Sequence, residues 1–308
     1  MRLIVLFSGQ GLQTLAHRDE ILREGTAELH RALDAQLLQA GTSLATLEER
    51  HLHDNAVAQV LIFGLQWMRW KALIPHLPRP VLLAGYSAGE TAAYEAAGMW
   101  PEARGAFLAG ARARLMSEAS ARLGGPAGMM AVSGCDAALL AQQSSGLDVH
   151  VAIRVAAQQV LLGGLRADLD TLATRLSACS GAHPTPLAVH VPAHTPLLQS
   201  VQQPWLALLQ AEPGGAPQIP LLCGSRASVL RARDAALVAL AEQVCMPIVW
   251  EDCLNMIAEY QPDVLLELGP GAALAKMALG HGLTCPVRAV DEFRSTSAVL
   301  DWIAGLRP

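Results

Sequence analysis

Ser87 stands in a Gly-x-Ser-x-Gly motif, written Gly-Tyr-Ser-Ala-Gly at residues 85–89. A strongly apolar run, Val81–Ala84, precedes the motif, and a helix-like segment follows it. This is the order of a nucleophile elbow, in which serine occupies a tight turn between a strand and a helix and flanking glycines avoid Cβ clashes. The first amides of such a helix point at the oxygen that becomes negative when a carbonyl is attacked. The motif therefore predicts acyl chemistry on Ser87.

A serine hydroxyl is a poor nucleophile near neutral pH and needs a base within hydrogen-bonding distance. The chain has 10 histidines. Of these, His190 and His194 lie in Val-His-Val-Pro-Ala-His-Thr-Pro at residues 189–196, where a predicted strand ends and a loop begins. The pattern alone leaves a structural role for His194 open beside a catalytic one. It equally leaves Arg112 as one of several arginines on a solvated helix face.

Composition indicates a large buried core, because 52% of the 308 residues are hydrophobic and only 16% are charged. Such a balance suits an α/β protein whose sheet is buried on both faces. The formal net charge of −5 is mild, and no basic stripe suggests nucleic acid or a membrane surface. The 6 cysteines are scattered without a Cys-x-x-Cys pair, which predicts reduced thiols and no metal site. No apolar stretch reaches about 18 residues, so we expect no transmembrane span and a cytoplasmic location.

Strand-like and helix-like segments alternate along the chain, which predicts an α/β fold with a largely parallel sheet. A Gly-Gly-Pro break at residues 124–126 is followed by the order β-α-β-β-α-β, ending in a predicted strand at Leu187–Val191. That order is typical of a ferredoxin-like domain. Because the α/β pattern resumes afterwards, we predict a large domain of residues 1–125 and 190–308 with a small domain of residues 126–189 inserted into it.

Two other features near the elbow have less specific interpretations. Gly9-Gln10-Gly11 follows a predicted strand, but it lacks both Gly-x-Gly-x-x-Gly and Gly-Lys-Ser/Thr, so no nucleotide site is predicted. Glu90 follows the elbow directly, and its position suits a carboxylate that neutralises a helix N-terminus or holds a loop better than a catalytic acid.

Six motifs in one order resemble the malonyl-CoA:acyl-carrier-protein acyltransferases over almost the whole chain. Each is unspecific alone, but together they form a specific pattern. They are Phe-Ser-Gly-Gln-Gly at 7–11, Gly-Tyr-Ser-Ala-Gly-Glu at 85–90, Arg112 with Met-Ser-Glu-Ala at 116–119, Val-Pro-Ala-His at 191–194, Glu242-Gln243 before Pro247, and Glu-Leu-Gly-Pro-Gly at 267–271.

The resemblance implies a hydrolase-like large domain, a ferredoxin-like small domain and a role for individual residues. Ser87 would be the nucleophile and His194 its base, and later the acid. Gln243 would orient the imidazole through its backbone carbonyl, so that no third acid is needed. The amides of Gln10 and Ala88 would form the oxyanion hole, where loss of one donor typically costs about 3 kcal/mol of transition-state stabilisation.

The same resemblance implies that Arg112 binds the free carboxylate of a malonyl group. A planar guanidinium binds a carboxylate through two parallel hydrogen bonds, and in a desolvated pocket this discriminates strongly. The implied reaction is ping-pong transfer of malonyl from malonyl-CoA, through an ester on Ser87, to the thiol of an acyl-carrier protein. No cofactor would be bound permanently.

Tyr86 departs from the family pattern, which has histidine before the serine. This departure, together with the Asp-Asn-Ala-Val-Ala-Gln block at residues 54–59, looks like the acyltransferase (epsilon) subunit of bacterial malonate decarboxylase. The acceptor there would be the phosphoribosyl-dephospho-CoA thiol of a carrier subunit, with the other decarboxylase subunits as partners. The alternatives are the same transfer to a phosphopantetheine carrier in fatty-acid or polyketide synthesis, a serine thioesterase or hydrolase, and a non-catalytic scaffold.

Overall fold

The computed structural model describes residues 1–102 and 104–306, and it contains two β-sheets surrounded by helices. The strands are β1 (Leu3–Phe7), β2 (Leu82–Gly85), β3 (Ala127–Ser133), β4 (Val149–Ala156), β5 (Gln159–Leu165), β6 (His183–Pro186), β7 (Leu221–Cys223), β8 (Ser228–Leu230), β9 (Ile248–Val249), β10 (Val264–Glu267) and β11 (Val287–Ala289). The α-helices are α1 (Leu15–Glu24), α2 (Ala27–Leu37), α3 (Asn55–Leu73), α4 (Gly89–Ala96), α5 (Arg104–Ala121), α6 (Ala137–Gln143), α7 (Arg166–Ser177), α8 (Gln199–Ala211), α9 (Arg233–Glu242), α10 (Trp250–Glu259), α11 (Ala273–Gly280) and α12 (Thr296–Ala304). The mixed α/β class predicted from the sequence is confirmed.

The larger sheet has six strands in the order β11-β10-β1-β2-β7-β8. Its first five strands pair in parallel, and β8 closes the edge antiparallel to β7. Every residue of β1, β2 and β10 is buried, as expected for parallel strands covered by helices on both faces. Since parallel strands end at the same edge, the loops after β1 and β2 meet there.

The smaller sheet has five strands in the order β6-β3-β5-β4-β9. Strands β3 to β6 pair antiparallel and enclose a separate apolar cluster with α6 and α7, whose members include Met130, Leu162, Leu169 and Leu172. Strand β9 comes from a much later part of the chain and pairs parallel with β4. A two-residue strand carries no periodicity, which is why the sequence does not predict it.

One predicted strand is wrong, and several elements were not predicted. Residues 187–191 form no strand; β6 instead spans His183–Pro186. Its two prolines disguise it, since proline cannot donate to a ladder and is confined to positions such as the sheet edge that β6 occupies. The sequence also does not predict helices α1, α2 and α8 or strand β8.

Buried polar contacts fix the loop that follows β1. Ser8 Oγ donates to Glu267 Oε1 at 2.6 Å, and Glu267 accepts the amides of Leu274 and Ala275 at the start of α11. The side chain of Gln66 on α3 donates to the carbonyl of Ser8 at 2.7 Å. These contacts hold the segment that leads to Gln10. Among the described residues, no helix has the length and apolar character needed to span a membrane.

Candidate active site

Ser87 occupies the turn between β2 and α4 with a φ of 55°, the left-handed region that L-residues rarely adopt. The turn is tight: a Cβ on Gly85 would lie 2.4 Å from Glu90 Cα, and one on Gly89 would lie 2.1 Å from the carbonyl oxygen of Phe7. Both positions therefore require glycine. The structure has the strand-turn-helix arrangement that the motif predicts, and it presents the Ser87 hydroxyl at the edge where β1 and β2 end.

The hydroxyl of Ser87 contacts an imidazole that comes from a distant segment. Ser87 Oγ lies 2.7 Å from His194 Nε2, and His194 Nδ1 lies 2.5 Å from the backbone carbonyl of Gln243. Because a carbonyl only accepts, Nδ1 carries the proton and Nε2 is left to accept the hydroxyl hydrogen. This tautomer is the one that a general base for Ser87 requires.

The surroundings of His194 keep its imidazole neutral. The side chain is fully buried, and burial, followed by the positive charge of Arg112, lowers the pKa of His194 to about 3. The hydrogen bond to the Gln243 carbonyl opposes this shift. The lone pair on Nε2 is therefore available throughout the neutral range.

Arg112 is a buried cation whose guanidinium is held by two amide side chains. Nη1 donates to Gln59 Oε1 and Nη2 donates to Gln243 Oε1, each at 2.7 Å, whereas the buried Nε has no partner. Burial lowers the pKa of Arg112 to about 10, with Glu90 opposing, so the group stays charged at neutral pH. No carboxylate of the described residues forms an ion pair with it. A buried, uncompensated guanidinium with a free N–H is suited to bind an anion.

One pocket of about 60 Å³ brings these groups together between the two sheets. Gln10 lines it beside Ser87, and Ala88 follows Ser87 at the start of α4. The roles of their two amides as oxyanion donors stay predictions. The remaining wall is mostly apolar and comes partly from the smaller sheet and its flanking loops: Met116, Met129, Ile153, Leu161, Leu187, Val189, Val191 and Ala193.

Tyr86 also lines this pocket, and its ring is fixed on two sides. It packs edge-on against Trp250 at 5.0 Å between ring centroids, with an interplanar angle of 89°. On the other side it lies so close to the loop after β1 that a Cβ on Gly9 would sit 2.9 Å from the ring. Tyr86 therefore packs between Trp250 and the loop that carries Gln10, and it forms part of the pocket wall.

Gln59 was not assigned a role from the sequence, although the structure places it on Arg112. The sequence signal is an amide near the start of the largely buried helix α3, where an unpaired polar group would be costly. Gln59 Nε2 donates to Asn55 Oδ1 at 2.8 Å, and Asn55 Nδ2 donates to the Ala113 carbonyl at 3.0 Å. These bonds fix the amide so that its oxygen faces the guanidinium.

Known proteins resemble this chain over almost its whole length. The family model described as acyl transferase domain matches residues 4–284. The chain is 29% identical to the malonyl CoA-acyl carrier protein transacylase of Mycobacterium bovis, over 98% of this chain and 99% of that one. It is 27% identical to the enzyme of the same name from Salmonella typhimurium, over 96% and 97%. The crystal structure of MCAT from Mycobacterium tuberculosis superposes with a TM-score of 0.86 at 28% identity, covering 99% and 100% of the two chains.

Proposed function

The chain belongs to the family of acyl transferase domains and is an acyltransferase, and we propose that it transfers a malonyl group from malonyl-CoA to the thiol of an acyl-carrier protein. The observation that carries this proposal is the buried guanidinium of Arg112, which lines the same small pocket as the hydrogen-bonded pair of Ser87 and His194. Such a pocket offers a nucleophile to the thioester and a cation to the free carboxylate of one substrate.

In the first half-reaction, His194 Nε2 takes the hydroxyl proton as Ser87 Oγ attacks the thioester carbonyl. We assign the amides of Gln10 and Ala88 to the oxyanion that forms. When the tetrahedral intermediate collapses, the carbon–sulfur bond breaks, and the imidazolium returns its proton to the departing CoA sulfur. The products are free CoA and a malonyl ester on Ser87.

In the second half-reaction, the carrier thiol enters and His194 takes its proton. The sulfur attacks the ester carbonyl, the bond to Ser87 Oγ breaks, and the proton on His194 returns to that oxygen. The hydrogen bond from Nδ1 to the Gln243 carbonyl keeps the ring in the same tautomer and orientation during both halves. No acidic third member is needed for that role.

Arg112 supplies the selectivity for a malonyl group. Its Nε and the unused hydrogens on the Nη atoms are donors for the terminal carboxylate. An acetyl group would leave the guanidinium buried without an anionic partner, at a cost of a few kcal/mol.

The names of the relatives specify an acyl-carrier protein as the acceptor. This supports the first candidate, a phosphopantetheine carrier of fatty-acid or polyketide synthesis. The second candidate acceptor is the phosphoribosyl-dephospho-CoA thiol of a malonate decarboxylase carrier, with the other decarboxylase subunits as partners. Tyr86 in the elbow favours this candidate, but the relatives favour the first. The test is to measure how fast the purified protein loads each carrier with malonyl. Preferential loading of the decarboxylase carrier would make the second candidate the better supported acceptor.

We further propose that residues 1–125 and 190–308 form a hydrolase-like domain and residues 126–189 a ferredoxin-like one. The sheet order β6-β3-β5-β4 with antiparallel pairing supports the second description. The elbow between β2 and α4 supports the first. A cytoplasmic location fits a reaction between CoA esters and carrier proteins.

The central test is to incubate the purified protein with radiolabelled malonyl-CoA and follow protein-bound label. We expect label on the wild type and none on Ser87→Ala, because only the wild type can form the ester. Equal label on both proteins would refute the acyl-enzyme. A serine hydrolase differs in the second step: it would release malonate to water as fast without a carrier as with one.

A further inference from the structure

Glu90 is a buried acid near the start of α4 that takes no part in the proposed mechanism. Its side chain is 2% exposed. The amide of Gly224, which follows β7, donates to Glu90 Oε1 at 3.1 Å, and the carboxyl group interacts with the Gln243 side chain and with the charge of Arg112. Burying a carboxyl group is costly unless it has partners. The Glu90 carboxyl group lies beside Gln243, the residue that contacts the other groups of the site.

Gln243 connects Glu90 to the groups that bind and attack the substrate. Its side-chain oxygen accepts from Arg112 Nη2 at 2.7 Å, and its side-chain nitrogen donates to the backbone carbonyl of Ser87 at 3.1 Å. Its own backbone carbonyl holds His194. One fully buried amide therefore lies between Glu90, the guanidinium and the nucleophile.

We propose that Glu90 is a positioning residue, whose carboxyl group holds the Gln243 amide and whose ionisation weakens the Arg112 clamp for the terminal carboxylate of the substrate. The inference rests on the proposed function. While Glu90 is neutral, Arg112 is an uncompensated cation that attracts the substrate. Once Glu90 is ionised, its negative charge partly neutralises Arg112 and repels the incoming carboxylate across a dry interior, where charges are poorly screened.

The charge of Glu90 changes in an accessible pH range. Burial raises the pKa of Glu90 to about 8, although the Gly224 amide, Arg112 and the Gln243 side chain all favour the ionised form. The clamp is therefore at full strength at neutral pH and below. The substrate carboxylate, once bound, disfavours ionisation of Glu90 further, because the coupling between the two sites is reciprocal.

The other groups that interact with Glu90 keep their charge near pH 8. Burial raises the pKa of the neighbouring phenol and thiols, so all of them stay protonated, and Arg112 stays cationic with a pKa of about 10. His194 is already neutral, with a pKa of about 3. The phenol and thiols that sense the charge of Glu90 are those of Tyr94, Cys223 and Cys253.

The experiment compares acyl-enzyme formation from malonyl-CoA and acetyl-CoA between pH 6.5 and 8.5, a range in which Arg112, with a pKa of about 10, stays charged. In the wild type, we expect the malonyl-to-acetyl rate ratio to fall about threefold across this range, because a group with a pKa of about 8 is almost wholly neutral at the lower pH and mostly ionised at the upper one. In Glu90→Gln, which cannot ionise, the ratio stays constant. Glu95→Gln is the matched control: Glu95 is another buried acid on α4, it bonds Trp100 Nε1 at 3.0 Å, and its variant keeps the wild-type fall.

A ratio that is flat in the wild type, or that falls equally in Glu90→Gln, overturns the role of Glu90. If malonyl-CoA labels Ser87 at no pH, the proposed function fails instead, so the two failures are distinct. A second measurement does not depend on the folding of Glu90→Gln. Calorimetry of Ser87→Ala in two buffers near pH 8.5 should show proton uptake on binding malonyl-CoA and none on binding acetyl-CoA. Equal uptake with both ligands also contradicts the proposal.

Discussion

Arg112 donates a 2.7 Å hydrogen bond to the side chain of Gln243, the residue whose backbone carbonyl holds the imidazole of His194. The proposed substrate clamp and the proposed base therefore share one support. A second amide, Gln59, contacts Arg112 from another helix, and its other hydrogen bonds within the described residues go to Asn55 and Met116. The two glutamines are a matched pair for separating substrate binding from reactivity of the serine.

Replacing each glutamine by leucine should have different consequences. Gln59→Leu removes one hydrogen bond from Arg112, so we expect a reduced preference for malonyl-CoA over acetyl-CoA, with the labelling rate of Ser87 by a fluorophosphonate within about threefold of wild type. Gln243→Leu keeps the backbone carbonyl on His194 but also loses the bond to the Ser87 backbone. It should reduce both the preference and the labelling rate. Identical behaviour of the two variants would contradict this division.

The pH dependence of Ser87 labelling tests the state of His194. Burial and the charge of Arg112 lower its pKa to about 3, so protonation of the base begins well below neutral pH. We expect the fluorophosphonate labelling rate, followed by stopped-flow or quenched gels, to show no inflection between pH 5 and 7.5. An inflection near 6.5, the ordinary value for histidine, would mean that the imidazole is solvated and is not the buried base described.

The elbow glycines give a prediction about stability. Gly89→Ala places a Cβ 2.1 Å from the carbonyl of Phe7, and relief of that clash must displace β1 or α4. We expect a loss of about 2–3 kcal/mol in unfolding free energy by urea titration, together with slower labelling of Ser87. Gly280→Ala at the end of α11 is the control, since no atom lies within 4 Å of its Cβ position. That variant should be neutral or more stable by up to about 1 kcal/mol.

The sequence predicts local features of this fold, whereas contacts between residues far apart in the chain cannot be derived from local patterns. The elbow around Ser87 follows from glycine spacing within five residues. Its partner His194 lies 107 residues away, and Gln243 lies a further 49 residues on. No periodicity connects such positions, so the pattern around His194 leaves its role open, and only the family resemblance assigns a role to His194 and to Gln243.

The sequence does not predict that Gln59 contacts Arg112 or that Glu90 interacts with Gln243. Each is a buried amide or acid on a helix, and its partner is chosen by tertiary packing rather than by local pattern. Strand β6 was not predicted from the sequence for a different reason. Its prolines are unfavourable in strand interiors, and only its place at the edge of the smaller sheet makes them tolerable.

Glu90 should make the stability of the protein fall as pH rises. Its pKa is raised to about 8 in the folded chain from 4.5 when unfolded. Below 4.5, both states are protonated and the folded state bears no penalty. Between 4.5 and 8 the unfolded state loses its proton first, so the penalty grows with pH and reaches a few kcal/mol at pH 7. Glu90→Gln should therefore raise the urea midpoint at pH 8 more than at pH 5; an equal effect at both values would contradict this prediction.

Arg112→Ala tests the clamp itself, and Arg114→Ala is its control on the same helix. Arg112 is 1% exposed and bonded to two buried amides, whereas Arg114 is partly exposed and bonds Gln36 at 3.1 Å. Loss of the buried guanidinium removes the charged partner of the malonyl carboxylate. We expect kcat/KM for malonyl-CoA to fall about 100-fold or more and that for acetyl-CoA to fall far less. Arg114→Ala should keep the wild-type ratio. An unchanged ratio in Arg112→Ala would show that another group reads the carboxylate.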